Sequence, residues 1–248
     1  MRKARSLLEI RHEYINDYKN LQRCYDDIYS GKGIQQCDSF YLWVINLLKP
    51  VPGRLLIDIS CGQGRLPILA RQKGLQTIGI DFSIIGLMKG RSSCRSIPLI
   101  SGNGEKLPIK DASADYITHI GNLEHYINPS LGAQEVFRVL KPGGLACILL
   151  PNAFGLFGNF IFVALHGEIF DDGQPLQRYA TRHHWETMLI DAGLKIQRVL
   201  GWEGIEFPRT WFDTMRIIKN PQKILKLIIQ PLIPINLASH LVFLCTRD

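Results

Sequence analysis

The 248-residue sequence predicts an α/β fold, a doubly wound and mostly parallel sheet with helices on both faces. Three observations carry this expectation. Short apolar runs alternate with longer helix-periodic segments through the middle of the chain, as βαβ crossovers require. The first of these runs, Leu55-Leu56-Ile57-Asp58-Ile59, passes into the glycine turn Ser60-Cys61-Gly62-Gln63-Gly64 and then a helical pattern, which reads as a strand entering a ligand loop. The next run, Thr77-Ile78-Gly79-Ile80, ends in Asp81, where an acid can take both hydroxyls of a ribose.

Strands are expected near 54–59, 76–81, 97–101, 115–120, 145–150, 194–200 and 240–246, each an apolar run closed by turn residues. Helices are expected near 65–73, 83–92, 131–140 and 182–192. Pro67 falls in the first turn of the first helix, where its missing N–H costs little. Lys141-Pro142-Gly143-Gly144 stops the third helix and turns the chain into the next strand; Thr181 caps the fourth and Gly193 closes it. Three segments fall outside the core of 50–152. Residues 1–49 read as helical, with Asp38 or Ser39 capping Phe40 to Leu48. Residues 151–181 and 203–238 leave or approach strand ends on the side where such sheets bind ligands. A single domain with insertions is the expectation.

With 46% hydrophobic residues the chain has apolar surface for a sizeable core. The net charge of +7 comes from basic residues spread along the chain, which favours a solvated basic surface; no specific nucleic-acid motif is present. The six cysteines are scattered without a C-x-x-C pair, so neither a metal site nor a disulfide frame is indicated, and reduced thiols in a cytoplasmic protein fit best. The apolar stretches Phe154 to Leu165 and Ile224 to Ala238 are too short or too broken to span a membrane, which takes roughly twenty apolar residues. The basic and apolar residues of 209–238 suit a lid over a substrate pocket, with peripheral membrane contact or self-association as alternatives.

Asp58-Ile59-Ser60-Cys61-Gly62-Gln63-Gly64, Asp81, Gly102-Asn103-Gly104-Glu105-Lys106-Leu107-Pro108 and Arg138-Val139-Leu140-Lys141-Pro142-Gly143-Gly144 resemble, in that order, the motifs of class I S-adenosylmethionine-dependent methyltransferases with a type 11-like domain. The resemblance is close over roughly residues 50–152. It implies a Rossmann-like seven-stranded sheet whose last strand, Ser239 to Cys245, inserts antiparallel, and S-adenosylmethionine as cofactor. The chain departs from the family in having Ser60 where glycine is usual and Asn103 where aspartate is usual.

On this resemblance the cofactor would meet Asp58, Ser60, Gly62, Gly64, Asp81, Phe82, Asn103, Gly104, Glu105 and Asn122. Gly62 and Gly64 would let the backbone approach and offer N–H groups to the methionine carboxylate. Asp81 would hold the ribose, and Asn103 with Gly104 the adenine. Asn122, in Gly121-Asn122-Leu123-Glu124-His125, would face the methyl end. His125 is the weakly supported candidate for a catalytic base, should the acceptor need one. A small-molecule or lipid-like acceptor is expected, with acceptor atom and oligomeric state open. Two alternatives stand beside this. A nicotinamide-dependent oxidoreductase is disfavoured because Pro67 occupies the third glycine position of the dinucleotide fingerprint. A non-catalytic cofactor-binding scaffold is the other.

Overall fold

The computed structural model describes residues 7–12, 15, 17–93, 96–204, 211–220, 224 and 228–248. Helices α1 (Tyr18–Ser30) and α2 (Asp38–Leu47) precede the strand–helix alternation β2 (Leu55–Ile59), α3 (Arg65–Gln72), β3 (Gln76–Asp81), α4 (Ile84–Ser93), β4 (Leu99–Ser101), β5 (Ala114–Ile120), α5 (Pro129–Val139) and β6 (Leu140–Pro151). There follow α6 (Ile161–His166), β7 (Leu176–Ala180), α7 (Arg182–Asp191), β8 (Lys195–Trp202), α8 (Trp211–Ile218) and β9 (His240–Thr246), while β1 (Leu7–Arg11) opens the chain.

Seven strands form one sheet in the order β4-β3-β2-β5-β6-β9-β8. The first five pair in parallel, and β9 is antiparallel to both β6 and β8. The strand order reverses between β2 and β5, the point at which a doubly wound sheet opens a crevice at its carboxyl edge. Helices cover both faces. Val136 of α5 and Trp185 and Leu189 of α7 bury one of them; Phe40 and Val44 of α2 and Leu66 and Leu69 of α3 bury the other. Phe40 meets Trp202 of β8 with ring centroids 4.1 Å apart.

The helical reading of 1–49 holds for α1 and α2 but not for Leu7–Arg11. That stretch is a strand, antiparallel to β7 in a separate two-stranded sheet. It is mostly exposed on both faces, so it has no helical stripe to bury, and ladder hydrogen bonds to β7 decide its form. Helix α2 starts at Asp38 behind Cys37 without a side-chain cap; the Asp38 carboxylate instead accepts the Arg65 Nε–H at 2.7 Å. Thr181 caps α7 as expected, accepting the His184 N–H. The stretch Lys141–Gly144 is not a free turn. Extended backbone follows α5 directly, and a bulge opposite Ala114 to Tyr116 absorbs the change of direction, with Gly143 in the left-handed region at φ 74°. Among the described residues no helix is long and apolar enough to cross a membrane.

Arg178 of β7 links the small sheet to the main one. Its buried guanidinium donates to Glu9 of β1 and to the carbonyls of Glu124, Tyr126 and Ile127, in the loop after β5. Replacing it by leucine should leave those buried acceptors unpaired and lower the unfolding free energy by about 3 kcal/mol, read from urea denaturation. An unchanged midpoint would mean the loop is held by packing alone.

Candidate functional site

The loop after β2 is built on backbone that L side chains rarely adopt: Ser60, Gly62 and Gly64 have φ of 58°, 55° and 74°. Ser60 tolerates this because its surroundings hold it. Its hydroxyl lies 2.9 Å from that of Tyr126, and its carbonyl accepts Asn122 Nδ2–H at 3.3 Å. The two glycine amides are engaged within the protein rather than turned outward: Gly62 N–H donates to Asp81 Oδ2 at 2.6 Å and Gly64 N–H to the Cys61 carbonyl at 2.8 Å. Asp81 Oδ1 accepts from Ser83 N–H at 2.7 Å. One buried carboxylate thus ties the loop after β2 to the end of β3. Burial pushes its pKa up to about 6, with the Ser83 and Gly62 amides pulling the other way.

Asp58 lies within β2, where it accepts the Thr118 hydroxyl of β5 at 2.6 Å; burial raises its pKa to about 7. With Gly64 at the start of α3, it supports the loop from behind. The other sequence-predicted residues come together. Ser60, Asp81, Phe82, Asn103, Gly104, Glu105, Asn122 and His125 surround a cavity of about 40 Å³. Asn103 Oδ1 accepts the Glu105 N–H at 2.9 Å, closing a tight turn. A Cβ on Gly104 would sit 1.8 Å from the Tyr126 hydroxyl, so that position admits no side chain.

Sequence reasoning missed the cover of this cavity. Tyr18, Leu21, Tyr25 and Tyr29 of α1 line it, and Tyr18 donates to Glu105 Oε2 at 2.7 Å. Their spacing is one face of an amphipathic helix, the signal that could have found them. Gln22 donates to the Phe82 carbonyl, and Asp26 accepts from Ser83 and Ile85, which seats α1 over the exit of β3. A nucleoside enters so small a space only if the α1 tyrosines give way.

Beside it lies a cavity of about 550 Å³, within the range of small-molecule sites at roughly 300–1,000 Å³. The two share Tyr29, Ser60, Asn122 and His125. Its walls come from α2, from the segment between β6 and β7 with Phe157, Phe162 and Phe170, and from Trp202, Ser239 and His240. Of the 203–238 insertion, Glu203 and Gly204 line it and none of the described residues of 211–237 does, while the 151–181 insertion supplies Phe157, Phe162 and Phe170. The end of the segment is tied to Asn152, itself on the wall of this cavity, which donates to the Asn236 and Ala238 carbonyls. Arg209, Lys223 and Lys226 of the expected basic face lie outside the described residues.

His125 is buried, with Nδ1–H donating to the Leu176 carbonyl. This fixes the tautomer, so Nε2 carries a lone pair, 3.7 Å from Glu124 Oε1. Burial is the main cause holding His125 neutral, below the ordinary histidine range. Glu124 is buried too, and desolvation raises its pKa to about 8. No group of histidine, cysteine or carboxylate side chains with metal-binding geometry occurs among the described residues.

Residues 57–148 match the family model of the methyltransferase domain. The chain is 35% identical over 97 residues to a demethylmenaquinone methyltransferase of Corynebacterium kroppenstedtii, covering 39% of this chain and 42% of that protein. It is 30% identical over 155 residues to a probable S-adenosylmethionine-dependent methyltransferase of Mycolicibacterium smegmatis, covering 60% and 55%. The matches thus span about half the length of these relatives. An S-adenosylmethionine-dependent methyltransferase structure from Mesorhizobium loti superposes with a TM-score of 0.60 at 18% identity, covering 84% of this chain and 98% of that one, which establishes likeness of fold.

Two outcomes follow from the geometry. Asp81→Ala removes the acceptor of two buried amides and should cost about 1.5–3 kcal/mol of stability, measured by denaturant unfolding; a neutral effect would show that the loop stands without it. The raised pKa of Glu124 sets the second. Between its unfolded value of 4.5 and its folded value of about 8, the unfolded state binds fewer protons, so stability falls as pH rises. Buried His119, lowered to about 3, works in the opposite sense but only below its unfolded value of 6.5. Above pH 6.5, therefore, the thermal midpoint of the wild type should drop toward pH 8.5 more steeply than that of Glu124→Gln. Parallel curves would place an ionised Glu124 in the folded protein.

Proposed function

We propose that this chain, whose residues 57–148 belong to the class I S-adenosylmethionine-dependent methyltransferase domains, transfers a methyl group to a largely apolar, lipid-like small molecule. The observation that carries the reading is the junction of the two cavities. Residues from the ends of β2, β3, β4 and β5 converge on a small space under the α1 tyrosines, and that space meets a larger one, walled by aromatic and polar side chains together, at Tyr29, Ser60, Asn122 and His125.

The residues fit the cofactor. Asp81 uses one lone-pair direction on each oxygen for the loop and keeps the others for ribose hydroxyls. Phe82 offers an apolar surface beside it, and Gly104, whose missing side chain makes room for the Tyr126 hydroxyl, lines the same space with its backbone. Bound S-adenosylmethionine would supply a methyl group on a sulfonium, a good leaving group, so alignment can carry much of the acceleration. Asn122 donates to the Ser60 and Ile120 carbonyls, which braces the loop between the cavities. Neutral His125 can take an acceptor proton at Nε2 where one must leave. The aromatic walls, with the exposed Leu165 and Phe170 among them, support an apolar acceptor, as does the similarity to a demethylmenaquinone methyltransferase.

Calorimetry should detect binding of S-adenosylhomocysteine, weakened in Asp81→Ala by on the order of 1.5–3 kcal/mol. Absence of binding to the folded wild type would reject the reading, and labelled methyl transfer into cell-extract fractions, resolved by mass spectrometry, would identify the acceptor.

A further inference from the structure

Four side chains lining the larger cavity are almost completely buried yet incomplete. Glu124, Gln177, Asn159 and Trp202 are 4%, 3%, 3% and 4% exposed, and Glu124 Oε2, Gln177 Oε1, Asn159 Nδ2 and Trp202 Nε1 have no hydrogen-bond partner. Buried polar atoms left unpaired are costly and uncommon, so four on one cavity point to a ligand that completes them. Each is anchored by its surroundings. Gln177 belongs to β7, held against the loop after β5 by Arg178. Asn159 Oδ1 already accepts the Phe170 N–H, which commits its other end. Glu124 has His125 on one oxygen side and no partner on the other.

The chemistry of the set is specific. Gln177 Oε1 is an acceptor, Asn159 Nδ2–H and Trp202 Nε1–H are donors, and a protonated Glu124 carboxyl can act as either. A hydrocarbon satisfies none of them, an ether can meet only donors, and an ammonium only acceptors. A hydroxyl both donates and accepts. The surrounding walls include Phe162, Phe170 and Trp202, suited to a flat apolar body. We infer that Glu124, Gln177 and Asn159 form a polar subsite that recognises a neutral hydroxyl on an aromatic ring of the acceptor. The inference rests on the reading of this cavity as the acceptor site. Glu124, protonated at neutral pH through burial, is compatible with a neutral partner and ill suited to a cationic one.

The test uses the full chain, titrated calorimetrically at pH 7 with 2-naphthol, 2-methoxynaphthalene and naphthalene, with and without S-adenosylhomocysteine. The wild type should bind 2-naphthol about tenfold more tightly than either of the others, the weight of one well-made buried hydrogen bond. Glu124→Leu and Gln177→Leu should each erode that preference while S-adenosylhomocysteine affinity is unchanged, and Glu124→Gln should retain part of it. Equal binding of the three probes by the wild type overturns the inference whatever the variants do, as does an undiminished preference in both leucine variants. Failure to bind S-adenosylhomocysteine counts against methyl transfer alone, because the probe comparison needs neither turnover nor cofactor.

Discussion

The buried carboxylate of Asp81 is the interaction on which the site depends. A glycine turn after a central strand has no hydrophobic reason to hold its shape, and the φ values at Ser60, Gly62 and Gly64 would relax if unsupported. Asp81 supplies the restraint by accepting the Gly62 amide from one strand exit and the Ser83 amide from the next. Charge-assisted hydrogen bonds in a poorly solvated position are strong enough to offset such backbone strain. They also give Asp81, the acid expected at a ribose, a structural part within the protein itself.

A second restraint acts from outside the main sheet. Arg178 gathers the carbonyls around Glu124 to Ile127 and, through Glu9, draws β1 against the same region. The loop between the two cavities is therefore held by Arg178 of β7 on one side and braced by Asn122 on the other. Helix α1 completes the enclosure with tyrosines. The result is a set of acids, Asp58, Asp81 and Glu124, whose common upward shift in pKa comes chiefly from burial. Such a site favours neutral or hydrogen-bonded partners over hydrated ions.

Most of the central architecture was legible in the residues. Runs such as Leu55 to Ile59 are apolar on both faces because β2 lies between two other strands and under helices on each side, and that burial leaves a continuous mark. Helix α7 was legible through the Thr181 cap and Gly193, whose φ of 97° a side chain would resist. Leu7–Arg11 was not, since its form depends on pairing with β7 far along the chain, and long-range pairing leaves no local period. Lys141–Gly144 reads as a turn in isolation and becomes a bulge within extended backbone only because Leu140 before it and Leu145 after it pair with β5.

The sequence by itself determined the βαβ alternation, the glycine loop, the acid at the end of β3 and the likeness to class I methyltransferases, because each is a local pattern of burial period and backbone permission. Only the tertiary structure decided that the Gly62 amide faces Asp81, that α1 covers the smaller cavity, that residues of 151–181 rather than the described residues of 211–237 wall the larger one, and that Glu124, Gln177 and Asn159 all line it. Those are relations between segments distant in sequence, set by which surfaces bury against one another.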